Sequence, residues 1–216
     1  MVKSADIEEK TKNQFDEWAQ TYDGGVWNLY FEKAIKYALN MIELKENSVI
    51  LDLGCGTGEL GLTAVQGNKI KKAVGIDLSF EMIKRANSKQ RKNNISAEKL
   101  EYIIGKANEI KFPDSHFDVV FCLNSFHHYL NPNDVISEIH RVLKNDGFFI
   151  LLDPFINNHL RKGWGFFLKK IFKEEHVIYY TRESIKHMLE YKKFKIIKQQ
   201  SFLYFTLFTV SQNVKK

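Results

Sequence analysis

The chain has 216 residues, a net charge of +6, and 44% hydrophobic and 27% charged residues. This suits one large globular domain with a real core and excludes a fibrous or disordered polymer. Two cysteines, Cys55 and Cys122, exclude a disulfide framework and a cysteine-ligated zinc cluster, so a cytoplasmic protein with no metal is expected. The opening residues lack the apolar h-region of a signal peptide. The longest apolar run, residues 202–210, is far short of the ~20 residues that a membrane-spanning helix needs.

Residues 5–20 and 26–43 carry apolar positions at helical spacing, among them Phe15, Trp18, Tyr30, Ala34 and Tyr37, and the breaker Asp23-Gly24-Gly25 parts them. From Ser48 the pattern changes to short apolar runs alternating with helical stretches. Residues 48–53 read as a strand buried on both faces, followed by a helix to about Val65. A second strand covers 72–77, and Ser79 caps a helix running to about Lys92. Strands follow at 100–105, 117–123 and 148–153. Before the last of these a helix is expected from Asn131 as N-cap, with Pro132 in its first turn and Gly147 just past its end. Strands alternating with helices imply an α/β fold, a mostly parallel sheet covered on both faces.

The tail departs from that alternation. A helix over 181–193 precedes strands at 194–200 and 202–210, too close together for a crossover, so they form an antiparallel pair at the sheet edge. Residues 154–180 fit neither pattern; Trp164, Phe167, Leu168 and Ile171 at helical spacing suit a cap, core packing or a membrane-surface helix. From Phe155 onward there are 13 Lys and Arg against 4 Asp and Glu. A lysine-rich surface accounts for that excess, and so does an acidic partner such as RNA or an anionic membrane.

The first strand runs into Asp52-Leu53-Gly54-Cys55-Gly56-Thr57-Gly58. Glycine permits positive φ and removes Cβ, so a ligand can approach the main chain at Gly54, Gly56 and Gly58, at the end of the strand where parallel sheets bind ligands. A dinucleotide fingerprint is disfavoured. It needs glycine or alanine where Glu59 stands, and that carboxylate would repel a pyrophosphate at the helix start.

In these residues the chain resembles the class I S-adenosylmethionine-dependent methyltransferases. The segment 52–58 matches their acidic-x-G-x-G-x-G motif. Asp77 ends the second strand as the family's ribose carboxylate does, and the blocks at 112–120 and 141–151 look like the family's later ones. The resemblance implies a doubly wound, mostly parallel seven-stranded Rossmann-like sheet. It further implies a single domain: a helical cap over 1–45, a cofactor-binding core over 46–153, a cap insertion over 154–180, and a C-terminal helix and strand pair over 181–216. The implied cofactor is S-adenosylmethionine, with S-adenosylhomocysteine as product. By resemblance it is bound by Tyr22, Asp52, Gly54, Cys55, Gly56, Gly58, Asp77, Leu78, Ala107, Asn108, Asn124 and Ser125. The opening at 15–23 is similar to that of quinone- and sterol-methylating members, in which Tyr22 closes over the methionine end. Relatives often carry an acid after the glycine that ends the third strand; here Lys106 stands there, and it cannot accept a bond from the adenine amino group.

Methyl transfer is an in-line displacement, and a base is needed only if the acceptor loses a proton. His127 and Asp153 are the candidates, while His128 fits a helix-opening position. The Asn/Asp-Pro-Pro-aromatic block of nucleic-acid amino-methyltransferases is missing after the fourth strand, where Leu123-Asn124-Ser125-Phe126 stands, so nucleic acid is not the expected partner. A small-molecule acceptor is expected, with peripheral membrane contact left open. An RNA or protein methyltransferase and a non-catalytic cofactor-binding protein are the other readings. Trp27, Tyr30, Phe31, Trp164, Phe166 and Phe167 suit an apolar acceptor, though core packing explains them equally well.

Overall fold

A computed structural model describes residues 4–24, 26–67, 70–157 and 177–215. In chain order it has α1 (Ser4–Trp18), α2 (Val26–Leu39), β1 (Val49–Leu53), α3 (Glu59–Gly67), β2 (Lys72–Asp77), α4 (Phe80–Lys92), β3 (Leu100–Ile104) and β4 (Phe117–Leu123). A 3-10 turn (Phe126–His128) and α5 (Pro132–Val142) follow, then β5 (Leu143–Pro154), α6 (Arg182–Tyr191), β6 (Phe194–Phe202) and β7 (Thr206–Asn213). Residues 158–176, with Trp164, Phe166 and Phe167, lie outside the described residues, as does the side chain of Trp27.

The strands form one seven-stranded sheet in the order β3-β2-β1-β4-β5-β7-β6. Pairing is parallel from β3 to β5, while β7 is antiparallel to both β5 and β6. Neighbours along β1 feed opposite layers. Ile50 belongs to the buried layer that holds Ala34, Leu60 and Phe208, and Leu51 to the layer that holds Val74, Ile136 and Leu189. That two-sided burial is why the strand is continuously apolar. Strand order reverses between β1 and β4, which opens a crevice at their C-terminal ends.

Two boundaries differ from the sequence expectation. The helix placed before Gly147 ends earlier, at Val142; Leu143 is already extended (φ −70°, ψ 140°) and pairs with Phe117, so β5 begins there rather than at 148. Tertiary contacts end the helix. Lys144 reaches both Asp118 carboxylate oxygens at 2.8 and 2.9 Å, and Asn213 Nδ2 donates to the carbonyls of His140, Leu143 and Lys144 at 3.1–3.2 Å. Gly147 serves close packing, because a Cβ there would sit 2.9 Å from the Asp118 carbonyl oxygen.

The run 202–210, expected as one strand, is broken. Leu203 and Tyr204 turn with φ of 45° and 68°, placing Phe202 at the end of β6 opposite Thr206 at the start of β7. The turn brings Phe202 and Phe208 onto one aromatic ring, Tyr37 of α2, with centroids 4.8 and 5.1 Å away.

Asn213 is fully buried, and its amide satisfies carbonyls at the end of α5 that have no helical partner. Asn213→Ala is expected to lower the unfolding free energy by about 2 kcal/mol in urea denaturation. An unchanged midpoint would show that those carbonyls find other donors.

Candidate functional site

The crevice is built on the glycine loop after β1. Gly54 and Cys55 N–H groups donate to the Ile76 carbonyl at 2.8 and 3.1 Å, pinning the loop to β2. Gly54, Gly56 and Gly58 all have positive φ, yet they serve different ends. A Cβ on Gly54 would lie 2.4 Å from Ser125 Oγ, and one on Gly58 would lie 2.5 Å from the Tyr102 ring. One on Gly56 would meet only a Tyr22 ring carbon, at 3.8 Å. Close ligand approach is therefore available at Gly56. Gly58, expected to face a ligand, is instead filled by Tyr102, whose hydroxyl donates to the Gly58 carbonyl.

Above Gly56 lies a cavity of about 310 Å³, floored by Gly54, Asp77, Leu78 and Asn124 and walled by Lys106, Ala107, Asn108 and His128. Residues Ala5, Glu8, Thr11, Lys12 and Phe15 of α1 roof it. Asp77 holds the centre: Oδ2 accepts from Gly56 N–H at 2.8 Å, and Oδ1 accepts from Ser79 N–H at 2.9 Å. Burial raises its carboxyl above the usual range despite these bonds. Ser79 caps α4, its hydroxyl accepting from Met82 N–H at 3.1 Å, and donates in turn to Asp16 of α1.

A smaller cavity of about 70 Å³ adjoins the first, sharing Tyr22, Gly54, Gly56, Leu123 and Asn124. Asp52, Cys55 and Phe31 line it as well. Asp52 is 4% exposed, and burial followed by the nearby Asp77 charge pushes its carboxyl up to about 8. Tyr22 stacks on Phe31 at 5.5 Å, and the Tyr30 hydroxyl donates to Asn124 Oδ1 at 2.7 Å. Ser125 lines the larger cavity, and its hydroxyl donates to the Leu53 carbonyl at 3.1 Å. Cys122 is buried beside it.

Polar contacts hold α1 and the loop after it over the site. Asp23 accepts from Thr57, Lys89 and Arg85 at 2.5, 2.8 and 3.3 Å, and Arg85 also donates to the Gln20 carbonyl at 3.2 Å. Lys106 pairs with Glu8. Asp23 sits within the stretch 15–23 that drew attention in the sequence, but nothing local marks Lys89 or Glu8.

The two candidate bases form a separate buried pair, His127 Nδ1 to Asp153 Oδ1 at 2.9 Å. Neither borders the larger cavity; His128 does, edge-on to Phe15 at 5.0 Å. Burial lowers His127 to about 3 and raises Asp153 well above its ordinary value. Asp153 Oδ2 and the Tyr180 hydroxyl are both buried without a hydrogen-bond partner.

Comparison with known proteins identifies the family and the fold. A family profile described as a methyltransferase domain matches residues 51–151. A demethylmenaquinone methyltransferase of Chlorobaculum parvum is 29% identical over 88% of this chain and 83% of its own length. The chain belongs to the class I S-adenosylmethionine-dependent methyltransferases. Protein MJ1252 of Methanocaldococcus jannaschii is 31% identical over 64% of this chain. This methyltransferase-family chain spans 49% of that relative and 43% of methyltransferase YcgJ of Bacillus subtilis, about half the length of each. Among solved structures, a chain from the complex of the Haloferax volcanii Trm112 methyltransferase activator shares the family fold with a TM-score of 0.82. It is 19% identical, with 95% of this chain and 98% of that one covered.

The division of labour among the glycines is open to measurement. Gly58→Ala combines positive φ with a clash on Tyr102 and is expected to cost about 2–3 kcal/mol in denaturant unfolding. Gly56→Ala is expected to cost only about 1 kcal/mol, the penalty of a left-handed residue alone. Equal losses would mean that Tyr102 yields freely.

Proposed function

We propose that this chain binds S-adenosylmethionine in the crevice and transfers its methyl group to a small-molecule acceptor. The observation that carries the reading is Asp77, a carboxylate at the end of β2, facing the open cavity beside the one glycine of the loop that leaves room for a ligand. The residues present fit the cofactor. Asp77 has lone pairs left for the two ribose hydroxyls, Leu78 offers an apolar surface for the adenine, and Gly56 and Asn124 border the passage between the two cavities. Asp52 lies on the smaller cavity, where it can balance the ammonium of the methionine end.

When bound, the sulfonium supplies an already activated methyl group. The chain's own part is to orient and to exclude water. Tyr22 and Phe31 close one side, and Tyr30 fixes the Asn124 side chain where the two cavities meet. His127 and Asp153, the acid–base candidates for an acceptor that must lose a proton, stand apart from both cavities, so an acceptor that needs no base fits this site better. The alignment over most of the demethylmenaquinone methyltransferase supports a small-molecule acceptor. A nucleic acid drawn to the basic tail is less favoured, since exposed Lys195 and Lys198 lie on β6, at the sheet edge remote from β1 and β2.

Calorimetric titration with S-adenosylmethionine, S-adenosylhomocysteine, NADH and ATP tests the cofactor. Binding of the two sulfur nucleosides alone is expected. It should weaken at least about tenfold in Asp77→Ala, which loses charge-assisted hydrogen bonds, and stay within about twofold in Asp153→Asn, because that residue stands apart from the cavity. Preference for NADH or ATP would overturn the reading.

Asp52 gives a pH signature. Its carboxyl is raised to about 8, so it is mostly protonated at neutral pH, and an adjacent ammonium favours the charged form. Cofactor binding at about pH 7 is expected to release close to one proton, measured by calorimetry in buffers of different ionisation enthalpy. Asp52→Asn should abolish that release. Proton uptake in the wild type would place the ammonium elsewhere.

A further inference from the structure

Lys106 follows Gly105 at the end of β3 and borders the cavity that the ribose carboxylate occupies. An ammonium has three donors and no acceptor, so Lys106 cannot take a hydrogen bond from an exocyclic amine. The structure gives Lys106 a different task. Its Nζ pairs with Glu8 Oε1, an acid ninety-eight residues away in sequence and carried on α1. Glu8 and Thr11 line the same cavity as Lys106, Ala107 and Asn108, with Leu78 nearby.

The position matches the base of a nucleoside whose ribose sits on Asp77. Asp77 pairs with Ile104 in the β2–β3 register, and its carbonyl accepts from Gly105 N–H at 2.9 Å. Lys106 therefore lies two residues past the partner of Asp77, about 7 Å along the strand direction, roughly the length of a purine. At that end of the cavity Glu8 supplies a carboxylate paired through Oε1, and a carboxylate has acceptor sites for more than one donor.

We infer that Glu8, carried by the N-terminal helix and held in place by Lys106, accepts a hydrogen bond from the 6-amino group of the cofactor's adenine. This rests on the cofactor reading above and adds a specificity-determining residue to it. Glu8 stands in for the acid that β3 lacks, and Lys106 is a positioning residue. Base recognition then depends on α1 being seated, so an unseated helix leaves a site that holds ribose without distinguishing 6-amino from 6-oxo purines.

The test is calorimetric binding of S-adenosylhomocysteine and its 6-oxo analogue S-inosylhomocysteine, with no acceptor present. The wild type is expected to prefer the adenosyl compound by about tenfold or more, as a site built around one amine should. Glu8→Gln should bring the two within about twofold, since a carboxamide donates as readily as it accepts. Lys106→Ala should lower the preference and Lys106→Arg restore it, a rescue that a purely structural role would not produce. Asp77→Ala should weaken both nucleosides and leave their ratio alone. An unchanged ratio in Glu8→Gln, with S-adenosylhomocysteine still bound, would overturn the assignment while the cofactor reading stands. Failure of the wild type to bind either nucleoside would overturn both.

Discussion

The Asp77 carboxylate ties together three pieces of chain at the floor of the crevice. Its two oxygens accept from Gly56 of the loop and from Ser79 at the start of α4, while Asp77 itself ends β2. Ser79 extends the linkage to Asp16 of α1. Loop, strand, helix start and roof are thus referenced to one acid. Its placement follows from strand order, because the reversal between β1 and β4 leaves these ends uncovered by any crossover. A buried carboxylate is costly unless it is hydrogen-bonded. Two backbone N–H groups offset that cost without consuming all of its lone pairs.

The electrostatics of the crevice oppose those of the chain. The protein carries +6 overall, yet Asp52 and Asp77 lie at the heart of the site, and the cations Arg85, Lys89 and Lys106 are drawn to acids on its rim. The Asp77 charge adds to burial in raising the affinity of Asp52 for a proton. A cationic ligand beside Asp52 favours its charged form. The proposed cofactor, with its sulfonium and ammonium, has the charge for which such a floor is suited.

Much of the core was legible because β1, β2 and β4 are short, continuously apolar and separated by well-punctuated helices. What escaped was set by contacts distant in sequence. Gly147 looks like a helix stop, but Lys144, Asp118 and Asn213 end α5 five residues before it. The break at Leu203 and Tyr204 puts two large side chains at positive φ, which no turn preference suggests; Tyr37 gathers the aromatics on either side of it. Within the glycine loop the motif marks three equivalent positions, and only the position of Tyr102 reveals that Gly58 faces protein rather than ligand. The carboxylate of Glu8 beside Lys106 joins the first helix to the end of the third strand, a pairing without any local pattern.

The roof of the crevice has a character of its own. Among the described residues of α1 and the loop that follows it, Ala19 alone is fully buried in the core; Phe15 on His128 and Tyr22 on Phe31 add ring contacts, and ion pairs and hydrogen bonds to α4, the glycine loop and the end of β3 supply much of the remaining attachment. Such pairs are partly exposed and individually weak, and dissolved ions screen them. Lifting this helix therefore costs much less than unfolding the sheet beneath it. The hold of the roof on the crevice therefore weakens as the ionic strength of the surrounding solution rises, while the sheet beneath keeps its packing.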